Sequence, residues 1–133
     1  MSAVRTLLFL AAVTILGAGS ARAHHSFAMF DLEKETTLEG VVKVSPWTNP
    51  HVWLHILTPD GKGSTTEWRL EMGTTGMLAR AGWTSKMLKD GDKVTVVLNP
   101  LKSGAPSGRL VRVTLPNGRV MGPGGPAPPP PKR

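Results

Sequence analysis

Five short β-branched runs, one helical interruption after the third, and no cysteine in 133 residues predict a mainly β chain. The expected form is a small five- to six-stranded OB-like antiparallel barrel with one short helix between strands three and four. A chain of this length holds one small core and not two. Without disulfides it gains from closing its sheet, which removes exposed edges. Three strands, a helix and two strands is the order of an OB-type barrel. An open antiparallel sheet with one covering helix is the alternative.

Residues 1–23 read as a signal peptide. Arg5 supplies the positive n-region, and Thr6 to Ala18 (TLLFLAAVTILGA) is apolar but short for a bilayer span. Ala21 and Ala23 are the small residues at −3 and −1 of a cleavage site. Processing there leaves a chain that begins His24-His25, in the periplasm or outside a bacterial cell. Gly19 and Ala21 form a second acceptable pair, which would leave Arg22-Ala23-His24 at the start. No later apolar run suggests a membrane span once the signal is cleaved.

Residues 24–121 form the domain. His24 to Glu35 is an extended arm, with Phe27, Met29 and Phe30 to staple it down. Thr37 to Val44 (TLEGVVKV) alternates as a strand, and Ser45 to Pro50 (SPWTNP) is a loop punctuated by two prolines. His51 to Thr58 is the second strand. Pro59 to Gly63 turns it into the third, Thr65 to Met72. The period then changes: Met77, Leu78 and Ala81 recur at helical spacing within Thr75 to Ala81, with Met77 and Leu78 expected inward and Gly82 as the stop. Ser85 to Lys89 is a further helical turn before Asp90-Gly91-Asp92. Lys93 to Leu98 is the fourth strand, Leu101 to Gly108 a loop and Arg109 to Leu115 the fifth strand. Pro116 to Arg119 makes a hairpin into Val120-Met121. Residues 122–133 (GPGGPAPPPPKR) are too poor in apolar groups to fold and read as a disordered Pro/Gly-rich tail.

The whole chain carries 16 Lys/Arg against 9 Asp/Glu. Arg5 and Arg22 leave with the signal, so the processed chain is about +5, a mild excess without runs that keeps a domain soluble. With no cysteine, thiol catalysis and thiolate metal sites are excluded. The exported address argues against nucleic acid as a partner.

The start HHSFAMFD, the segment TLEGVVKVSPWTNPHVWLHI, the stretch EWRLEMGTTGMLARAGWT and the run KDGDKVTVVLNP resemble the DUF6152 type of uncharacterised bacterial exported proteins. The resemblance spans roughly His24 to Val120 and omits the proline tail. It implies export and a small β-rich fold, and it transfers no catalytic residue.

Two constellations carry chemistry. The first is histidine: His24, His25, His51 and His55 are all the histidines of the chain. An α-amine has an ordinary pKa of about 7.7–8.0, so Cu(II) can displace its proton near neutrality. With the imidazole of His24 it makes a chelate ring, and a further nitrogen completes the planar set that Cu(II) favours. This is similar to the N-terminal histidine sites of copper carriers and oxygenases at the level of one residue. His51, where a loop enters a strand, is the best further ligand, with His25 as the other candidate. His55 shares a strand face with His51, but four residues separate them by about 13 Å, so both cannot bind one ion. An exposed pair of terminal histidines without function, and a structural hydrogen bond from His51 to its turn, are the competing readings.

The second constellation is Trp47, Trp53 and Trp68, with Lys43, Arg69 and Arg112 nearby. Exposed aromatics on strands two and three could stack on an oligosaccharide, although tryptophans in a small domain mostly build the core. Glu67 and Glu71 stand four apart on strand three, where a solvated strand face is the expected role. No nucleophile elbow or phosphate loop is present. The expectation is a non-enzymatic binding module, with copper as the candidate ligand. A protein- or polysaccharide-interaction domain and an accessory subunit of an exported redox enzyme are the alternatives.

Overall fold

The computed structural model describes residues 25–129. The signal peptide, His24 and the last four residues lie outside that range. The elements in chain order are α1 (His25–Ala28), β1 (Thr36–Val44), β2 (Trp53–Pro59), β3 (Thr65–Glu71), α2 (Thr75–Arg80), β4 (Lys93–Pro100), β5 (Ser107–Thr114), β6 (Val120–Gly122) and β7 (Gly125–Pro126). The strands form one sheet in the order β3-β2-β1-β4-β5-β6-β7, and the pairs in that order are antiparallel. β3 also meets β5 in parallel, through Arg69↔Ser107, Leu70↔Gly108 and Glu71↔Arg109. Each of the first five strands therefore has a neighbour on both sides for at least part of its length.

Alternation explains the core. On β2, Leu54, Ile56 and Thr58 are buried, while Trp53, His55 and Leu57 make the outward row. Leu70 of β3, Val94, Val96 and Leu98 of β4, and Leu110 and Val113 of β5 complete the inner wall. Gly108 sits where β3, β4 and β5 crowd together. A Cβ there would stand 2.4 Å from Leu98 Cδ1 and 2.5 Å from the Asn99 carbonyl oxygen, so only glycine fits.

α2 lies between β3 and β4 as the sequence predicts. Thr74 caps it, its hydroxyl accepting from the Met77 amide. Leu78 is buried, but Met77 is about half exposed. Six residues offer one inward position, and Met77, a hundred degrees round the helix from Leu78, points away. The stretch expected as a second helical turn is a plain turn, closed by the Met87 amide on the Thr84 carbonyl.

The arm lies along the β4 end and the β4–β5 loop. Phe30 is buried and bridges to Leu101, the Asp31 amide donates to Pro100, and the Lys102 amide donates to Met29. The buried Asn99 side chain donates to the Lys34 carbonyl at 2.9 Å. Phe30 is thus the staple. Met29, expected to help, is exposed because its backbone, not its side chain, makes the contact.

The chain beyond Met121 is not all solvated tail. Gly122 pairs with Gly125 in the β6–β7 hairpin, and both are buried. The buried Trp83 indole N–H donates to the Gly122 carbonyl at 2.8 Å. Gly125 has φ +119°, and a Cβ on it would lie 3.1 Å from the Ala81 carbonyl oxygen. A glycine-rich composition reads as unfolded, yet close approach of this kind requires glycine.

Candidate functional site

The outer face of β2 and β3 is polar in a repeated way. Trp53 stands opposite Glu71, His55 opposite Arg69 and Leu57 opposite Glu67. Histidines four apart on one side of the hairpin therefore meet carboxylates four apart on the other, along the same diagonal, which is within reach of long side chains. His51 Nδ1 lies 3.0 Å from Glu71 Oε1, and His55 Nδ1 lies 2.9 Å from Glu67 Oε1. His51 is the more exposed imidazole, at 35% against 20%.

The corner that carries His51 is held from several sides. The Ser45 hydroxyl donates to the Trp53 carbonyl, and Asn49 Oδ1 accepts from both the amide and the hydroxyl of Thr75. Asn49–Pro50 is cis. The Val52 amide donates to Gly73 and the Met72 amide donates to Val52, which extends the β2–β3 ladder past its formal ends. The turn is fixed by Thr48, whose hydroxyl faces the His51 carbonyl at 3.5 Å. The imidazole comes within ion-pair distance of Glu71, whereas the His55–Glu67 contact is a hydrogen bond.

Glu67 is surrounded by cations and donors. Lys43 Nζ meets its Oε2 and Arg69 Nε lies 3.5 Å from its Oε1. The hydrogen bond from Lys43, then that from His55, hold the Glu67 carboxyl down at about 2 against its ordinary 4.5. Lys43 reaches it from the irregularity in β1 between Val42 and Val44.

Glu71 has a different neighbourhood. Its partner across the parallel seam is Arg109, and both flank inward residues, Leu70 and Leu110, so both face out. The Arg109 guanidinium carbon lies 5.1 Å from the centre of the Phe27 ring, a cation–π contact. The row His51, Glu71, Arg109, Phe27 thus runs from the Asn-Pro-His corner to the amino-terminal arm. Sequence reasoning did not find Arg109 or Phe27 for this site, because parallel pairing of β3 with β5 leaves no local trace.

His24 lies outside the described residues, and the side chain of His25 is likewise not described. Among the described residues no group of three or more His, Asp or Glu side chains is placed to hold a metal ion. Trp47 and Trp68 pack against the core, Trp68 opposite Ile56, and Trp53 alone of the three stands on the outward row. A separate open cleft of about 1270 Å³ lies toward the opposite ends of the strands, lined by Val41, Leu57, Pro59, Lys93 and Leu115.

The DUF6152 sequence model, described as a family of unknown function, matches residues 12–110. The chain belongs to this family. No curated protein and no solved structure matches the chain. The family match covers the arm, the Asn-Pro-His corner, both His–Glu pairs and Arg109, and it ends before β6 and β7. Among the described residues no helix is long and apolar enough to cross a membrane.

Proposed function

We propose that this chain is a non-enzymatic binding module of the bacterial periplasm, an OB-type barrel that holds Cu(II) through its processed amino terminus. The circuit of pairings β1-β2-β3-β5-β4-β1, with a helix between β3 and β4, supports the barrel reading. The amine and imidazole of His24 form the chelate, and His51 Nε2 is the nitrogen from the scaffold.

The observation that carries this reading is the anchorage of Phe27 over Arg109, beside Glu71 and His51. Neighbouring strands lie about 4.8 Å apart. Phe27 lies within α1, His25–Ala28, where the chain advances about 1.5 Å per residue. What supports the reading is that α1, the turn that follows the processed end, is pinned through Phe27 to the row of outward residues that includes Arg109, Glu71 and His51.

Intact mass of protein recovered from the periplasm gives the processed end. Cu(II) titration followed by electron paramagnetic resonance then shows hyperfine structure from several nitrogens in the native form. A form with one glycine ahead of His24 loses it. Equal and weak copper binding by the native and extended forms rejects the reading. An oligosaccharide that shifts the Trp53 emission without copper would support the interaction-domain alternative instead.

A further inference from the structure

The chain has no cysteine, so all of its sulfur is in methionine. The fold divides these thioethers sharply. Met29 and Met77 are 50% and 54% exposed, whereas Met72 is 7% and Met121 0% exposed. Met87 is partly buried and packs against the core. A large apolar side chain gains by burial, so core packing does not account for a methionine at either exposed position.

The two exposed methionines are built into the fold in the same way. Each directly precedes an anchor: Met29 stands before the buried Phe30, and Met77 before the buried Leu78. Each has its backbone fastened. The Met29 carbonyl accepts from the Lys102 amide. The Met77 amide donates to the Thr74 hydroxyl, and its carbonyl accepts from the Ala81 amide. The main chain is held while the side chain stands in solvent. A polar group added to either sulfur therefore displaces no packing and breaks no bond.

We propose that Met29 and Met77 are oxidation sites of the folded protein, where a peroxide converts the thioether to a sulfoxide reversibly and without loss of the fold. A lone pair of the sulfur attacks one oxygen of hydrogen peroxide. The S–O bond forms as the O–O bond breaks, and the proton of the transferred oxygen passes to the departing hydroxide, which leaves as water. Sulfur loses two electrons and the peroxide gains them. Methionine sulfoxide reductases restore the thioether. The same step at Met72 or Met121 would put a polar group into the core, so those sulfurs react only when the fold opens. The chemistry is independent of the copper reading.

Dilute hydrogen peroxide, added to the folded chain in the presence of a metal chelator and followed by peptide mass mapping over time, tests the assignment. Met29 and Met77 are expected to take up one oxygen each at close to the rate of free methionine. Met72 and Met121 should lag by at least about tenfold, because their reaction waits for opening. In denaturant these differences should vanish. The protein oxidised at both sites should keep its thermal midpoint, and reductases for the two sulfoxide stereoisomers should return it to the starting mass. Met29→Leu combined with Met77→Leu should fold as the native chain does and lose the fast uptake. Oxidation of Met72 or Met121 as fast as Met29 overturns the assignment. So does protection of Met29 or Met77 in the folded chain relative to the denatured one. A clearly lowered thermal midpoint after oxidation at these two sites alone, or failure of the reductases to restore them, overturns the claim that the fold tolerates and reverses the change.

Discussion

The two His–Glu pairs share a diagonal, a strand pair and a spacing, yet they are differently employed. His55–Glu67 is closed: Lys43 and Arg69 satisfy the carboxylate, and the imidazole is four-fifths covered. His51–Glu71 is open on the imidazole side and stands beside the arm through Arg109 and Phe27. The same spacing thus gives a hydrogen-bonded clasp where the neighbours are charges of the same sheet. It gives a more exposed imidazole where the neighbouring strand carries Arg109 and its contact with Phe27. Position in the tertiary fold, not the pair itself, makes the difference.

The sharpest break between the pairs is expected in copper binding. His51→Ala should lower Cu(II) affinity on the order of 100-fold, more than loss of an outer partner costs. His55→Ala should leave it within about twofold. Competition against a chelator of known affinity measures both. Equal losses would mean that the pairs are interchangeable and that the arm does not select between them.

The next largest effect is on the seam that distinguishes the pairs. Gly108→Ala drives a methyl group into Leu98 and the Asn99 carbonyl and should destabilise the fold by about 1–3 kcal/mol. Chemical denaturation gives the loss. Gly108 pairs with Leu70, beside Glu71, so amide shifts in the folded variant should concentrate at Glu71, Arg109 and His51. His55 and Glu67, beyond the paired stretch, should move less. Uniform shifts over both pairs would show that the seam does not separate them.

The closed pair has its own signature in acid. Glu67 titrates at about 2 in the folded chain against 4.5 ordinarily. A depressed carboxylate favours folding while ionised, so its contribution is complete above about pH 4.5 and is lost as pH falls toward 2. Glu67→Gln should remove this component, and the variant should lose less stability than the native protein between pH 5 and 2.5. Lys43→Ala should move the Glu67 titration part of the way back, followed by carboxyl carbon shifts. A native Glu67 that titrates near 4.5 would show that Lys43 and His55 do not hold it.

Much of this layout is written locally. Period-two runs place β1 to β5 within a few residues, and the change of period at Thr75 places α2 between β3 and β4. The four-residue spacings of His51 and His55 and of Glu67 and Glu71 are each legible, but their pairing is not: the carboxylates expected on a solvated strand face instead meet imidazoles and are largely covered. What local pattern does not carry is pairing between distant strands. Arg109 stands beside Glu71 only because β3 and β5 meet in parallel, and Gly122 to Pro126 joins the sheet only because Trp83 and Ala81 wait for it. A glycine-rich segment looks the same in sequence whether it is solvated or pressed against a tryptophan. Met77 shows the converse error, an apolar residue assigned inward by period in a helix too short to bury two.

The smallest expected effect is also the one that isolates the arm. Arg109→Ala removes the guanidinium from the Phe27 ring, a contact worth about 0.5–1 kcal/mol at an exposed site, and leaves Phe30, Asp31 and Asn99 to hold the rest of the arm. Global stability should therefore barely change. Amide exchange should quicken at Phe27 to Met29 and stay slow at Asp31. If the processed terminus meets His51 as proposed, loosening the arm lowers its local concentration there, and copper affinity should fall a few-fold while the nitrogen hyperfine pattern is retained. A change in that pattern would instead mean that Arg109 alters the ligand set. In that case the arm does not deliver the terminus by tethering, and the contrast between the two pairs would need another cause.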